Sequence, residues 1–241
     1  MAELRALVAA AGRGRRAGLP YPKTLYPVRG TPILLRIVTL LSAYDSTPTI
    51  IVSPEGKRPI LDCLAGAGAK AHLVVQSEPA GMGDAVLRFA DSPVYDEADH
   101  ILLVWGDIPF MQAQTVDAVV RAHKLHQNDF TFATRMVPSA YTVVTRDATG
   151  HVVGVAETRE RSVERPGPGE RDIGLFVFRK DVTLALLQED LPGKFGRVTG
   201  EHGFLYVVEH LVRRGFQVEA LPVATEDDLI SLNRLSDIGE G

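Results

Sequence analysis

The sequence predicts an α/β chain, a single three-layer sandwich over residues 1–241 with a mostly parallel mixed sheet and an antiparallel extension. Two observations carry this. Up to residue 126, continuous apolar runs of strand length alternate with segments of helical periodicity. That β-α-β-α order puts helices on both faces of a parallel sheet. From residue 127 the strand candidates alternate apolar and polar side chains and are joined by short polar turns, as antiparallel strands do.

The strand candidates of the first half are residues 4–10, 48–53, 72–76 and 101–105. All are short apolar runs, as expected of strands covered on both faces. Helix candidates are residues 31–44, 57–64, 82–90 and 115–125. In the second half, strands are expected at 130–135, 142–146, 151–157 and 173–178, as an extension of the same sheet. Ala148-Thr149-Gly150 reads as a hairpin turn. Residues 158–171, rich in Arg, Glu, Pro and Gly, read as a mobile loop, and residues 193–203 as a second glycine-rich connection. A helix at 204–214 and a strand at 217–222 follow.

Composition narrows the function classes. An apolar fraction of 45% over 241 residues can bury a core without staples. The one cysteine, Cys63, excludes an internal disulfide and a cysteine-based zinc cluster, and reads as a small buried apolar residue. The seven histidines show no metal-ligand spacing, and His202 and His210 read as surface residues. A net charge of -4 argues against general nucleic-acid binding but leaves room for a local basic pocket. No stretch nears the roughly 18 apolar residues of a membrane span. The N-terminus, with Glu3 and Arg5 before a short apolar run, does not read as a signal peptide, so a cytoplasmic protein is expected.

The first strand runs straight into Ala9-Ala10-Ala11-Gly12-Arg13-Gly14-Arg15-Arg16. Glycines and alanines let a ligand approach the backbone, and successive N–H groups there can form an anion nest. The arginines add bidentate donors for phosphate oxygens, and Lys23 lies close enough in sequence to return to the same pocket. Gly12-x-Gly14-x-x-Ala17 formally matches the dinucleotide-binding fingerprint, but Pro20 and Pro22 interrupt the helix it should open. The acidic residue expected about 20 positions on is also missing. No Gly-Lys-Ser/Thr loop of the ATPase kind is present.

Ala10-Ala11-Gly12-x-Gly14-x-Arg16 followed by Pro22-Lys23 resembles the signature of sugar-1-phosphate nucleotidyltransferases, most closely the uridylyltransferase domain of the bacterial enzyme that makes UDP-N-acetylglucosamine. Further segments agree in order: Gln76 to Ala85 is similar to the family's base-binding segment, Gly106-Asp107-Ile108-Pro109 to its metal segment, Gly154 to Glu157 to its sugar-binding glutamate segment, and Ser231 to Leu235 to the segment with its metal-binding Asn. The resemblance implies a Rossmann-like nucleotidyltransferase fold, a nucleotide-binding half (1–126) and an acceptor-binding half (127–241). It implies Arg16 and Lys23 on the triphosphate, Asp107 and Asn233 on Mg²⁺, and the base held by Gln76, Gly81, Met82 and Trp105. Thr142, Glu157 and Asp172 would face the acceptor. By residue type alone, Asp107 reads equally as a turn cap, Asn233 as a helix N-cap, Trp105 as core, and Glu157 as a surface partner of Arg159.

Departures cluster on the acceptor side. Met82 stands where the family has a small Thr, Thr142 where a Gly lets the sugar approach, and Asp172 where an Asn donates. N-acetylglucosamine 1-phosphate is therefore not the expected acceptor. The chain also ends where the family's hexapeptide-repeat acetyltransferase domain would begin, so neither that activity nor its trimer is expected; a monomer or homodimer is. The expectation is transfer of NMP from UTP or CTP to a sugar-1-phosphate or cyclitol phosphate, with pyrophosphate released. Rival readings are a cytidylyltransferase of a polyol phosphate, phosphocholine or a phosphonate, a nucleotide-sugar glycosyltransferase, and a nucleotide sensor. The glycosyltransferase reading lacks its usual Asp-x-Asp, since Asp107 is followed by Ile108-Pro109.

Overall fold

The computed structural model describes residues 3–12, 18–161 and 167–238. The chain opens with β1 (Leu4–Ala9), then a small hairpin of β2 (Pro27–Val28) and β3 (Thr31–Pro32) leading into α1 (Ile33–Leu41). β4 (Thr49–Val52), α2 (Pro54–Gly66), β5 (His72–Val75), α3 (Met82–Leu87), β6 (His100–Trp105) and α4 (Ala113–Leu125) follow in alternation. The second half comprises β7 (Phe130–Val137), β8 (Thr142–Arg146), β9 (Val152–Glu157), β10 (Gly169–Arg179), α5 (Lys180–Gln188), α6 (Val207–Arg213) and β11 (Val218–Leu221).

Among the described residues, seven strands form the main sheet in the order β11-β7-β10-β6-β1-β4-β5. Every strand runs the same way except β10, which is antiparallel to both β6 and β7. The expected mostly parallel α/β sandwich is therefore the fold. Alternate residues of the buried strands point to opposite cores. Ala6 and Val8 of β1 join one apolar cluster with α1 and α4, and Leu7 joins the other with α3, α5 and α6. The second core centres on rings: Phe176 lies 5.2 Å from Phe204, and Phe130 lies 5.6 Å from Phe178.

Several elements differ from the sequence expectation for physical reasons. The helix expected from residue 31 starts at Ile33, because Arg29 and Gly30 both take positive φ and make a tight hairpin turn before it. The pair β8–β9 is a sheet of its own rather than part of the main one; its alternation buries Val144 and Val152 in the second core, and Gly154 faces Glu209 of α6. Of the loop expected at 158–171, Thr158–Arg161 form a 3-10 turn, residues 162–166 lie outside the described residues, and the last three residues are strand. β10 begins at Gly169, pairs with β7 through Gly-Glu-Arg-Asp, and is irregular between Asp172 and Phe176, where Gly174 has φ 75°. That break hid its alternation. Helix α5 was not expected. It leaves β10 without a side-chain cap, and its buried residues fall in near-continuous runs rather than a clean stripe.

Candidate active site

Strands β1 and β6 end side by side, Ala9 opposite Trp105. Gly106 N–H donates to Ala9 O at 3.0 Å, and a Cβ at Gly106 would lie 2.8 Å from that oxygen, so the close approach requires glycine. Ala10, Ala11 and Gly12 therefore emerge next to Asp107, at the carboxyl end of the parallel strands where open α/β sheets bind ligands. Arg13, Gly14, Arg15 and Arg16 lie outside the described residues. Lys23 does return: a Cβ on Gly12 would touch its Cε at 3.1 Å, and its Nζ contacts Asp107 Oδ2.

The other oxygen, Asp107 Oδ1, is buried without a hydrogen-bond partner among the described residues. A carboxylate oxygen desolvated and unpaired is suited to a cation. Leu232 N–H donates to Asp107 O at 2.9 Å, which brings Asn233 to the same cavity. The Asn233 side chain donates to Ser231 Oγ at 2.9 Å. Among the described residues no group of three His, Cys, Asp or Glu could hold a metal. One carboxylate and one amide fit Mg²⁺, which keeps most of its waters.

These groups open onto a cavity of about 460 Å³, whose walls include Met82, Trp105, Asp107, Thr142, Glu157 and Asn233. Trp105 packs on Phe176 at 5.9 Å, with its Nε1–H buried and without a partner among the described residues. Gly174 permits this, since a Cβ there would lie 2.7 Å from the indole. Gln76, buried at the end of β5, donates from Nε2 to Gly81 O at 3.0 Å and to Asp84 Oδ2 at 2.8 Å. Its amide nitrogen thus braces the loop that carries Gly81 and Met82.

That loop is zipped to the end of the glycine-rich connection at 193–203. His202 N–H donates to Ala80 O at 2.7 Å, and Gly83 N–H to His202 O at 3.0 Å. A Cβ on Gly81, whose φ is 109°, would lie 2.4 Å from His202 O; one on Gly83 would lie 2.1 Å from Gly203 O. His202 lines the cavity and is buried, not a surface residue as expected. Burial, with Lys194 nearby, holds its pKa below the usual value, against the opposing charge of Asp84. His210 is likewise buried, its Nε2–H donating to Pro192 O at 2.9 Å. Cys63, expected buried, is only half-buried and free.

Asp172 also stands apart from expectation. It is 0% exposed and is not part of the cavity wall. Its carboxylate accepts from Thr142 Oγ1 and, at 3.1 Å, from Gly174 N–H, so Thr142 faces the cavity and Asp172 anchors it from behind. Burial pushes the Asp172 pKa up, against the hydrogen bonds and the nearby Arg171. Sequence reasoning missed Tyr141 as a wall residue, and missed Arg171, concealed in a polar stretch read as loop. The glycines at 81 and 83 were the available signal that another backbone, here residues 202 and 203, passes close by.

The fold and this strand-end site define a protein class that handles nucleoside triphosphates. The chain belongs to the MobA-like NTP transferase domain family, whose model matches residues 6–166. It is similar to the bifunctional protein GlmU of Symbiobacterium thermophilum, 30% identical over 236 residues, which are 97% of this chain and 49% of that protein. The chain spans about half the length of the curated relatives it matches. In fold it is similar to the inositol-1-phosphate CTP transferase of T. maritima (TM-score 0.69, 17% identity, 92% of this chain and 86% of the other). It is also similar to a Bacillus anthracis protein assigned as a glucose-1-phosphate thymidylyltransferase (TM-score 0.70, 17% identity, 90% and 85%). Among the described residues no helix is long and apolar enough to cross a membrane.

Proposed function

We propose that this chain transfers NMP from UTP or CTP to a phosphorylated small molecule, a sugar-1-phosphate or cyclitol phosphate, and releases pyrophosphate. The observation that carries it is Asp107 at the β6 end, with one oxygen on Lys23 and the other buried without a partner among the described residues, beside Gly12. An acceptor phosphate oxygen forms a bond to the α-phosphorus as the α–β phosphoanhydride bond breaks, and pyrophosphate leaves with the electron pair. Asp107 and Asn233 would hold Mg²⁺, which would supply charge neutralisation between the two anions. Lys23 moves from Asp107 to the triphosphate, and Arg16 joins it there by the family resemblance. By the same resemblance Ala9 to Arg15 cradle the phosphates, while Glu157 and Thr142 orient the acceptor. Relatives named for glucose 1-phosphate and inositol 1-phosphate support that acceptor class.

Gln76 supports a pyrimidine base. Its Nε2 is committed to Gly81 O and Asp84 Oδ2, which leaves Oε1 as an acceptor. Such an oxygen complements either the exocyclic amine of cytosine or the N3–H of uracil.

Incubation with mixed NTPs, Mg²⁺ and a library of phosphorylated acceptors tests both statements. A product of acceptor plus NMP mass is expected, from UTP or CTP, with N-acetylglucosamine 1-phosphate not the best acceptor. No pyrophosphate with any acceptor, together with unchanged NTP binding in Asp107→Ala, would establish a nucleotide sensor instead.

A further inference from the structure

Beyond Asn233 the cavity wall continues into an open groove of about 500 Å³ that shares Tyr141, Ser231 and Asn233 with it. Two cations line this groove, Arg171 and Arg234. The Arg171 guanidinium lies 3.9 Å over the Tyr141 ring, and its Nη2 donates to the Tyr141 hydroxyl. A second, longer bond of 3.5 Å runs to Leu229 O. The plane of the guanidinium is thus fixed by stacking and by neutral acceptors. Its Nε is buried without a partner, and no carboxylate pairs with it among the described residues.

The charges around it sharpen the point. Arg171 sits directly opposite Arg135 across β10 and β7, an unfavourable cross-strand pairing of like charges. Arg135 is answered by Glu226 at 3.3 Å, and Arg171 is not so answered. Asp172, next in sequence, is buried and engaged by Thr142 and Gly174. Asp237 also borders the groove, but its Oδ2 accepts from the backbone N–H groups of Asn233 at 3.1 Å and Arg234 at 2.6 Å. What remains is a held, partly desolvated cation with a spare donor, beside a second cation, next to the acceptor cavity.

We infer that Arg171, with Arg234, is a subsite for a second anionic group on the acceptor, so that the acceptor is a phosphorylated molecule that also bears a carboxylate or another phosphate. This rests on the nucleotidyl-transfer reading of the cavity. The test compares glucose 1-phosphate, glucuronic acid 1-phosphate and glucose 1,6-bisphosphate; the first two differ only by a carboxylate at C6. Wild type should prefer a doubly anionic probe over glucose 1-phosphate in kcat/KM and in calorimetric binding without nucleotide. Arg171→Gln should cut that preference by about 10-fold or more, mostly through KM, as loss of a charge-assisted hydrogen-bonded contact does. Arg234→Gln should cut it independently, and Arg171→Lys should restore part of it. Which probe is preferred separates a carboxylate from a second phosphate. Equal losses for all three probes in Arg171→Gln would mean that Arg171 holds the reacting phosphate, and would overturn the inference. So would a wild type without preference, or binding of none of the probes. If no product forms with any NTP while the Arg171-dependent binding preference persists, the transfer reading fails and the subsite stands.

Discussion

Lys23 Nζ and Asp107 Oδ2 are in contact across the mouth of the sheet, linking the loop after β1 to the end of β6. The ammonium covers one carboxylate oxygen, and the other stays buried and unpaired among the described residues. Such a pair can exchange partners: the lysine for a phosphate, the carboxylate for a metal. Asp107→Asn should therefore lower kcat at least about 100-fold, in the range seen when a transition-state charge stabiliser is lost. It should also raise the Mg²⁺ concentration needed for half-maximal rate, and chelation should abolish turnover in the wild type. Pyrophosphate release as a function of Mg²⁺ measures both; an Asp107→Asn enzyme with wild-type metal dependence would remove Asp107 from the metal site.

The glycines facing His202 make a steric prediction. Gly83→Ala would bring a methyl group to 2.1 Å from Gly203 O, and Gly81→Ala would combine a 2.4 Å contact with a φ of 109°. Backbone cannot yield as a side-chain tip can, so each should cost more than about 2 kcal/mol and weaken nucleotide binding. Gly66→Ala, where nothing lies within 4 Å, is the control. Urea denaturation and nucleotide titration read the two effects, and normal nucleotide binding by Gly83→Ala would show that residues 80–83 do not shape the base site.

Thr142 and Asp172 form a buried couple whose loss should depend on pH. Thr142→Val keeps the shape and removes the hydroxyl that donates to Asp172, at a cost of about 1–3 kcal/mol near neutral pH. Asp172 has its folded pKa raised by burial, so the native state holds its proton more tightly than the unfolded chain does. Its unfavourable contribution is thus small below the unfolded value of roughly 3.9 and grows as pH rises through the folded value. The Thr142→Val penalty should shrink toward acid pH, and Asp172→Asn should remove this dependence. Penalties that stay equal at every pH from about 4 to about 9 in urea melts would contradict the assignment.

Much of the fold was legible because the buried parallel strands announce themselves. Ala6, Leu7 and Val8, or Ile101 to Val104, are covered on both faces and must be apolar throughout. The donor side was legible for a related reason: Gly12, Lys23, Gly106 and Asp107 cluster at two strand ends that the parallel register brings together. The acceptor side was not. Arg171 and Asp172 sit in a bulged stretch of β10 whose polar composition imitates a loop, and the burial of Asp172 depends on Thr142 and Gly174, contacts absent from any local pattern. His202 was misjudged for the same reason, since its partners at Ala80 and Gly83 are more than a hundred residues away.

At the opposite end of the sheet, His100 Nδ1 lies 2.8 Å from His123 Nε2, and His123 Nδ1 lies 2.9 Å from Thr131 Oγ1. Burial, then the neighbouring His100 and Lys124, lowers the His123 pKa from 6.5 to about 3. The unfolded chain therefore takes up a proton at His123 that the native state refuses across that interval. Stability from this site is complete above about pH 6.5 and is lost as pH falls toward 3. One such proton contributes a slope of up to about 1.36 kcal/mol per pH unit. His123→Gln, which still bonds Thr131 but cannot titrate, should flatten the dependence of unfolding free energy on pH between 6 and 4 by that order, while lowering stability at pH 7.5. Urea melts across the interval measure it, and an unchanged slope in His123→Gln would mean that this histidine is not held neutral in the folded protein.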